Sequence, residues 1–593
     1  MQKPSIVQSM ILVASLAAWT APLAQTIDSA PASPSLRETI ATWQHQPPGP
    51  ELTVGELTLD PDANSRRHIT RSAAVADVDR FFHLLEHGYC GYGYFSREHD
   101  FGVARAAILT ELGAHEAWST RDLAELIREH LDFVADAHLK LGHVQFADHQ
   151  DFWVVPDLEL AKQGQQYSIA GDAEGQAIVT VNDRDPEGYV FSSLDPDGRS
   201  IRVLATLSAS EPLPLRVAIA TETGVSERSY RLMRTDCKRR ELFRFFRLGG
   251  IPVVRIGTFS DHHVEETRRF LDTADNLRDE PCVIVDLRGN GGGNTKWAKE
   301  WIRRFTGRTP ELHQALTALI SRTTLVGQMN YFAWLAAGPG RAISDQLAEE
   351  CERLAARIER FDDDRARPSW QIPWIPDRPP IPNGSTLIVV TDAAVASSGE
   401  GFISYLHDQV ENVVQVGENT RGAITFGHMS AHRLPGSGLL AFIPVKLNLP
   451  LDLTMREERG FDPDYWVPAD DALNCAVAAI RSGTIPTAKP LPQAVLATEF
   501  VPESPPRFSR AQMRRSLQVV AVLMAVVAFG IANRRRGPIV FVLSAAVLVI
   551  AATIGFAGNP PARWLALLGG AGHGVLAGYK GWRMHRARDD SPT

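Results

Sequence analysis

Between an apolar run, Cys282-Val-Ile-Val-Asp286, and a helical pattern near Trp297–Phe305, the chain reads Leu-Arg-Gly-Asn-Gly-Gly-Gly-Asn, and those three successive glycines constrain the fold most. A short continuous apolar run bounded by turn signals reads as a buried strand of a parallel sheet. The glycines let backbone amides come close to a ligand and point at developing negative charge. The pattern recurs: strand Pro252–Ile256 precedes a helix opened by Ser260-Asp261, and strand Thr386–Val390 precedes a helix near Gly399–His407, with Val413–Val416 following. This alternation predicts an α/β core over 249–480 with its sites at strand-to-helix turns.

Two common uses of a glycine-rich turn fail here. A dinucleotide loop needs G-x-G-x-x-G, but counting from Gly289 the sixth position is Asn294, and no Gly-Lys-Ser/Thr ending marks a phosphate loop. The cluster His262-His263-Val-Glu265-Glu266 resembles a ligand set, yet its acids fall in a helix first turn where the dipole favours them. No metal and no cofactor is expected.

Ahead of the core, 71–149 carries apolar residues at helical spacing (Val75, Val78, Phe81, Phe82, Leu85) and predicts a helical N-terminal subdomain. Residues 150–248 alternate in short runs broken by Asn182-Asp183 and Asp195-Pro-Asp-Gly198, which predicts a small β-rich module. Within the core, 310–370 reads as a long, mostly helical insertion, while 25–70 and 481–515 read as linkers.

The two ends bear on the compartment. Residues 1–24 read as a secretory signal peptide ending at Ala21-Pro22-Leu23-Ala24. Residues 516–593 contain apolar runs at Leu517–Ala532, Pro538–Ala557 and Trp564–Tyr579, which predict a membrane domain of two or three transmembrane helices. Residues 501–593 hold 12 Lys+Arg and 3 Asp+Glu (+9), which leaves 49 basic and 66 acidic residues (−17) in the first 500. An acidic body with a basic tail excludes nucleic acid as the expected partner and favours membrane lipid. With the body exported, Arg534-Arg535-Arg536 and the C-terminal basic residues fall inside, as the positive-inside rule requires. The expectation is a bacterial inner membrane protein whose body faces the periplasm. Five scattered cysteines without a CxxC pair suggest neither a disulfide scaffold nor a zinc ribbon.

Four short motifs occur in order: Asp286-Leu-Arg-Gly-Asn-Gly-Gly-Gly293, Ala396-Ser-Ser-Gly-Glu400, Gly417-Glu-Asn-Thr-Arg-Gly422 and Gly460-Phe-Asp-Pro-Asp464. Together they resemble the tail-specific (C-terminal processing) and tricorn-core serine peptidases. That resemblance implies a crotonase-like ββα core and a polypeptide substrate. It implies Ser397 as the nucleophile, three residues before Glu400, with an oxyanion hole from the amides of Ser398 and Gly291 or Gly292. The tail-specific branch has a lysine base after its Gly-Glu-x-Thr-x-Gly element, where this chain has Ala423 and no lysine until Lys446. The tricorn-like branch instead implies His138 as the base and Glu457 as its partner. His428, in Thr425-Phe-Gly-His428, is the rival base, and Glu400 is a supporting or structural group. The β-rich module stands where the family has a PDZ domain, but no Gly-Leu-Gly-Phe-type carboxylate loop is found in it.

The expected function is thus a membrane-anchored serine endopeptidase acting on exported polypeptides. A histidine base near its ordinary pKa would lose activity below a pH of about 6 to 7. Two other classes stand beside it: a non-catalytic ligand- or peptide-binding protein on the same fold, and a membrane scaffold or sensor with an inert Ser397.

Overall fold

The computed structural model describes residues 34–503 apart from 61–63, 172–175, 237, 239, 311–313, 337–344, 363–367, 372–378 and 451–452. The expected signal peptide and membrane domain lie outside the described residues. No described helix is long and apolar enough to cross a membrane.

The longer helices α1 (Arg71–Gly88), α2 (Phe101–Leu112) and α3 (Thr120–His130) precede a hairpin of β1 (Lys140–Leu141) and β2 (Val144–Gln145). Thr70, Asp100 and Ser119 each cap one of these helices by accepting first-turn amides. The next region is all-antiparallel: β3 (Asp151–Gln163), β4 (Gln166–Ile169), β5 (Ala177–Val181), β6 (Val190–Leu194), β7 (Ser200–Ser208), β8 (Leu215–Thr221) and β9 (Gly224–Tyr230) form one sheet in the order β9-β8-β5-β4-β3-β7-β6.

The central sheet is mainly parallel. It orders β10 (Phe243–Leu248), β11 (Ile251–Ile256), β12 (Cys282–Asp286), β15 (Thr386–Thr391), β16 (Val413–Gly417) and β19 (Tyr465–Trp466), with only the β10/β11 pair antiparallel. Every residue of β11, β12 and β15 is buried, because helices cover both faces. On one face α4 (Val264–Leu277), α5 (Thr295–Thr306) and α8 (Ser398–Gln409) pack through Phe270, Trp301 and Phe402 onto Val285 and Val389. On the other, α9 (Ala472–Ser482) lays Ala476 and Ile480 on Ile284 and Ile388.

A further sheet orders β14 (Ser369–Gln371), β13 (Gln314–Ile320), β18 (Leu440–Pro450), β1 and β2, with β17 (Phe426–Arg433) also paired to β18. Residues 310–370 carry helices as expected, with strands at their two ends that the sequence did not announce. They open and close on strands β13 and β14 around helices α6 (Arg322–Ala336) and α7 (Asp345–Asp362). The strands come from pairing: Gln314–Ala318 pair with Lys446–Pro450 of β18, which no local periodicity announces. This sheet joins the N-terminal helices to the core, since Phe81, Ile108 and Leu123 share one apolar cluster with Leu141, Phe426 and Ile443.

Trp301 is fully buried, stacks on Phe270 at 5.3 Å and on Phe305 at 4.9 Å, and donates its indole N–H to Thr273 Oγ1 at 3.2 Å. Trp301→Ala should cost ~3–5 kcal/mol of stability. Equilibrium denaturation that shows a loss below about 1 kcal/mol would contradict this packing.

Candidate active site

Register places two turns side by side. β12 and β15 run parallel with Asp286 opposite Val390, so the glycine turn after β12 and the serine turn after β15 leave the same sheet edge. The first turn is fixed by charge. Arg288 and Arg255 both reach the fully buried Asp286, with N–O distances of 2.7 and 2.8 Å. Burial alone would raise the Asp286 carboxyl, but the two guanidiniums hold it well below the ordinary range. Asp392, at the end of β15, accepts the Gly289 amide at 2.9 Å and faces Arg240 at 3.0 Å. Asn290 donates to Ile256 O and accepts the Gly292 amide at 3.0 Å.

Ser397 follows in a conformation with φ 52° and ψ −117°, uncommon for a residue with a side chain. It is half-buried and stands at the N-terminus of α8. Gly292, with φ +93°, lies against it so closely that a Cβ there would come within 2.8 Å of Ser397 Cβ and 2.9 Å of the Ser398 nitrogen. Gly291 is exposed and open around its Cα. The Ser398 amide begins the helix, where no intrahelical acceptor exists. Its hydroxyl is separately engaged, donating to Gly293 O at 2.8 Å and lying 2.9 Å from Thr295 Oγ1.

Glu400 is fully buried, and four donors meet its carboxylate: Ser397 N at 3.0 Å, Thr420 Oγ1 at 2.6 Å, Gly422 N at 2.8 Å and Ala423 N at 2.8 Å. Burial nonetheless raises its carboxyl. With its oxygens filled, Glu400 ties the serine turn to residues 420–423.

His138 follows α3 and stands two residues before the start of β1, which pairs with β18. It is brought towards Ser397 through their neighbours: Ala137, Ala147 and Ala423 form a buried cluster against which Ala396 packs. His138 is half-buried, its Nδ1 is buried without a hydrogen-bond partner, and burial with the Lys140 charge lowers its pKa to about 4. Glu457 does not hold the imidazole. Its Oε2 accepts the Ala137 amide at 3.0 Å, and its Oε1 accepts those of Thr425 at 2.8 Å and Phe426 at 3.3 Å. Among the described residues, no hydrogen bond joins His138 to Ser397 or to Glu457.

His428 has φ 51° in mid-strand and reaches solvent, yet protein crowds it enough that burial, then the Lys446 and His138 charges, lower its pKa to about 4. Lys446 sits on β18 opposite Gly427, its pKa lowered to about 8 by burial and by Lys299. Sequence reading passed over Asp136, Asn290, Asp392 and Thr420. The one local signal among them was Asp136, an aspartate two residues before a singled-out histidine. Among the described residues, no group of three or more His, Cys, Asp or Glu could hold a metal ion.

Residues 250–467 match the model of peptidase family S41, so the core of the chain is similar to serine-type peptidases. Solved structures with a similar fold include mature CPAF complexed with lactacystin, at 13% identity and a TM-score of 0.40, covering 70% of this chain and 99% of that one. The photosystem II D1 C-terminal processing protease is 13% identical with a TM-score of 0.31, covering 69% of this chain and 97% of that one. The tricorn protease is 13% identical with a TM-score of 0.28, covering 68% of this chain and 35% of that one. No curated protein matches the sequence.

The two central glycines of the turn should respond differently to an added methyl. Gly292→Ala drives its Cβ into the Ser397 turn at a positive φ, and fluorophosphonate labelling should fall by about 100-fold or more. Gly291→Ala meets nothing within 4 Å and should label within a few-fold of the parent. Equal labelling of the two variants would sink this account of the turn.

Proposed function

We propose that this peptidase family S41 core is an endopeptidase in which Ser397 attacks the peptide carbonyl and His138 takes and returns the proton. The observation that carries the reading is the serine turn, where a residue with positive φ is pressed against Gly292 and tied by Glu400 to residues 420–423. The tetrahedral oxyanion would be met by the Ser398 amide and a glycine amide of the Gly291-Gly292 turn, preorganised donors that cost no reorganisation as charge develops. Glu457 supports the base from behind, through the backbone amide of Ala137. Ala423 packs where a lysine base would be expected, which favours histidine.

The acid limb of activity should lie lower than an ordinary histidine gives. Because burial and Lys140 disfavour the imidazolium, His138 stays neutral, and able to accept a proton, down to about pH 4. Activity should therefore persist through pH 6 and fail only as His138 protonates. Fluorophosphonate should label the wild type and Ser398→Ala but not Ser397→Ala, and His138→Ala should lose orders of magnitude in kcat while His428→Ala is mild. Undiminished labelling of Ser397→Ala would remove the proposed nucleophile, and an essential His428 beside a dispensable His138 would replace the proposed base.

We further propose that the catalytic body is exported and held at the inner membrane by the apolar runs of 516–593, with polypeptides outside the cytoplasm as substrates. The −17 body, the +9 tail and the basic cluster Arg534–Arg536 between the first two runs support it. Reporter fusions after residues 536 and 593 should behave as cytoplasmic, and exported behaviour at either position would contradict this topology.

A further inference from the structure

Three consecutive amides lead through the turn that presents His138, and each ends on a carboxylate oxygen. Ala137 N donates to Glu457 Oε2 at 3.0 Å, while His138 N and Leu139 N both donate to Asp136 Oδ1, at 2.7 and 3.0 Å. The remaining oxygens tie this pair to two different parts of the fold. Asp136 Oδ2 accepts the phenol of Tyr89 at 2.8 Å, at the end of α1, and Glu457 Oε1 accepts the Thr425 and Phe426 amides as β17 begins. Tyr89 is itself fully buried, with its ring 5.9 Å from that of Phe426. The imidazole has no comparable anchor, since its Nδ1 is buried and unpartnered. Its orientation must therefore come through the backbone of its own turn.

We propose that Asp136 is a positioning residue for His138, acting through a clamp that Tyr89 and Glu457 complete. The proposal rests on His138 being the base. A neutral side chain could accept the same amides, so two buried carboxylates acting on one another are a costly way to make a turn. The groups that bear on the pair are Tyr89, Cys90, Lys140 and Glu400, together with the 137–139 amides. Burial lifts Asp136 to about 7, and burial with the Asp136 charge pushes Glu457 well above the usual carboxyl range. For an acid whose pKa is raised by folding, the protonated form is the one the fold favours. The amides and the Tyr89 phenol that make the clamp pull the other way and favour the carboxylate form.

The test compares Asp136→Asn, Asp136→Ala and Tyr89→Phe in the full-length protein. Asp136→Asn keeps an acceptor for both amides without the charge, so its kcat should stay within a few-fold. Asp136→Ala should lower kcat about 100-fold with KM within a few-fold, the scale of a misplaced base. Diethylpyrocarbonate, followed by peptide mapping, reads the His138 turn without relying on peptidase activity. The rate at His138 relative to that at exposed His99 should rise severalfold in Asp136→Ala and remain at the parent value in Asp136→Asn. Unchanged kcat and an unchanged rate ratio in folded Asp136→Ala, with only the melting temperature lowered, would overturn the proposal. Should Asp136→Ala not fold, Tyr89→Phe carries the same comparison, with a smaller fall in kcat and a raised ratio expected and no change in either overturning it. If wild-type protein cleaves no peptide, the peptidase reading fails, while the rate ratio still decides whether Asp136 sets the turn.

Discussion

The carboxylate of Glu400 lies fully buried under four donors, and the candidate site is organised around it. One oxygen receives the Ser397 and Ala423 amides, the other the Thr420 hydroxyl and the Gly422 amide, so one side chain fixes the turn after β15 to the segment that leads into β17. A buried carboxylate is tolerable when its lone pairs are filled, and removing it would strand several donors at once. The same logic runs through the neighbouring turn, where Asp286 is matched by Arg288 and Arg255 and Asp392 by Arg240 and the Gly289 amide. Charge is thus used in the interior to shape loops that apolar packing alone would leave underdetermined.

The proposed base comes to this arrangement from a different sheet. His138 rides on the lead into β1, which adds to β18, while the serine follows a strand of the central sheet. The N-terminal helices support β18 and β17 through one continuous apolar cluster, so their packing bears directly on where the imidazole sits. Burial then has two effects on His138: it removes hydrogen-bonding alternatives from Nδ1, and it keeps the ring neutral far below an ordinary histidine pKa.

Much of this was legible in the chain because some of the signals are local. The strand Cys282–Asp286 with its glycines, and the strand Thr386–Val390 with Ser397 three residues before Glu400, declare both the α/β core and the two turns within a few residues each. What was not legible depends on distant pairing. Glu457 meets the Ala137 amide across 320 residues of sequence, so its binding to backbone and not to the imidazole could not be read from spacing. Residues 314–320 lack a clean alternation and become a strand because β18 offers them an edge, which is why a reading of 310–370 as helical misses it. Asp136 stood in plain view beside His138, but its importance lies in its burial against Glu457 and Tyr89.

The parallel pairing of β12 with β15 also sets a measure of length. From the level of Asp286 and Val390, the chain takes six residues to reach Gly292 and seven to reach Ser397, and the two excursions meet in van der Waals contact. An extended residue spans about 3.3 Å, roughly the reach of one hydrogen bond. A single residue gained or lost in either excursion would displace Ser397 and the glycine turn from one another by that whole reach, with the sheet beneath them unchanged. These two loops are therefore held to a fixed count.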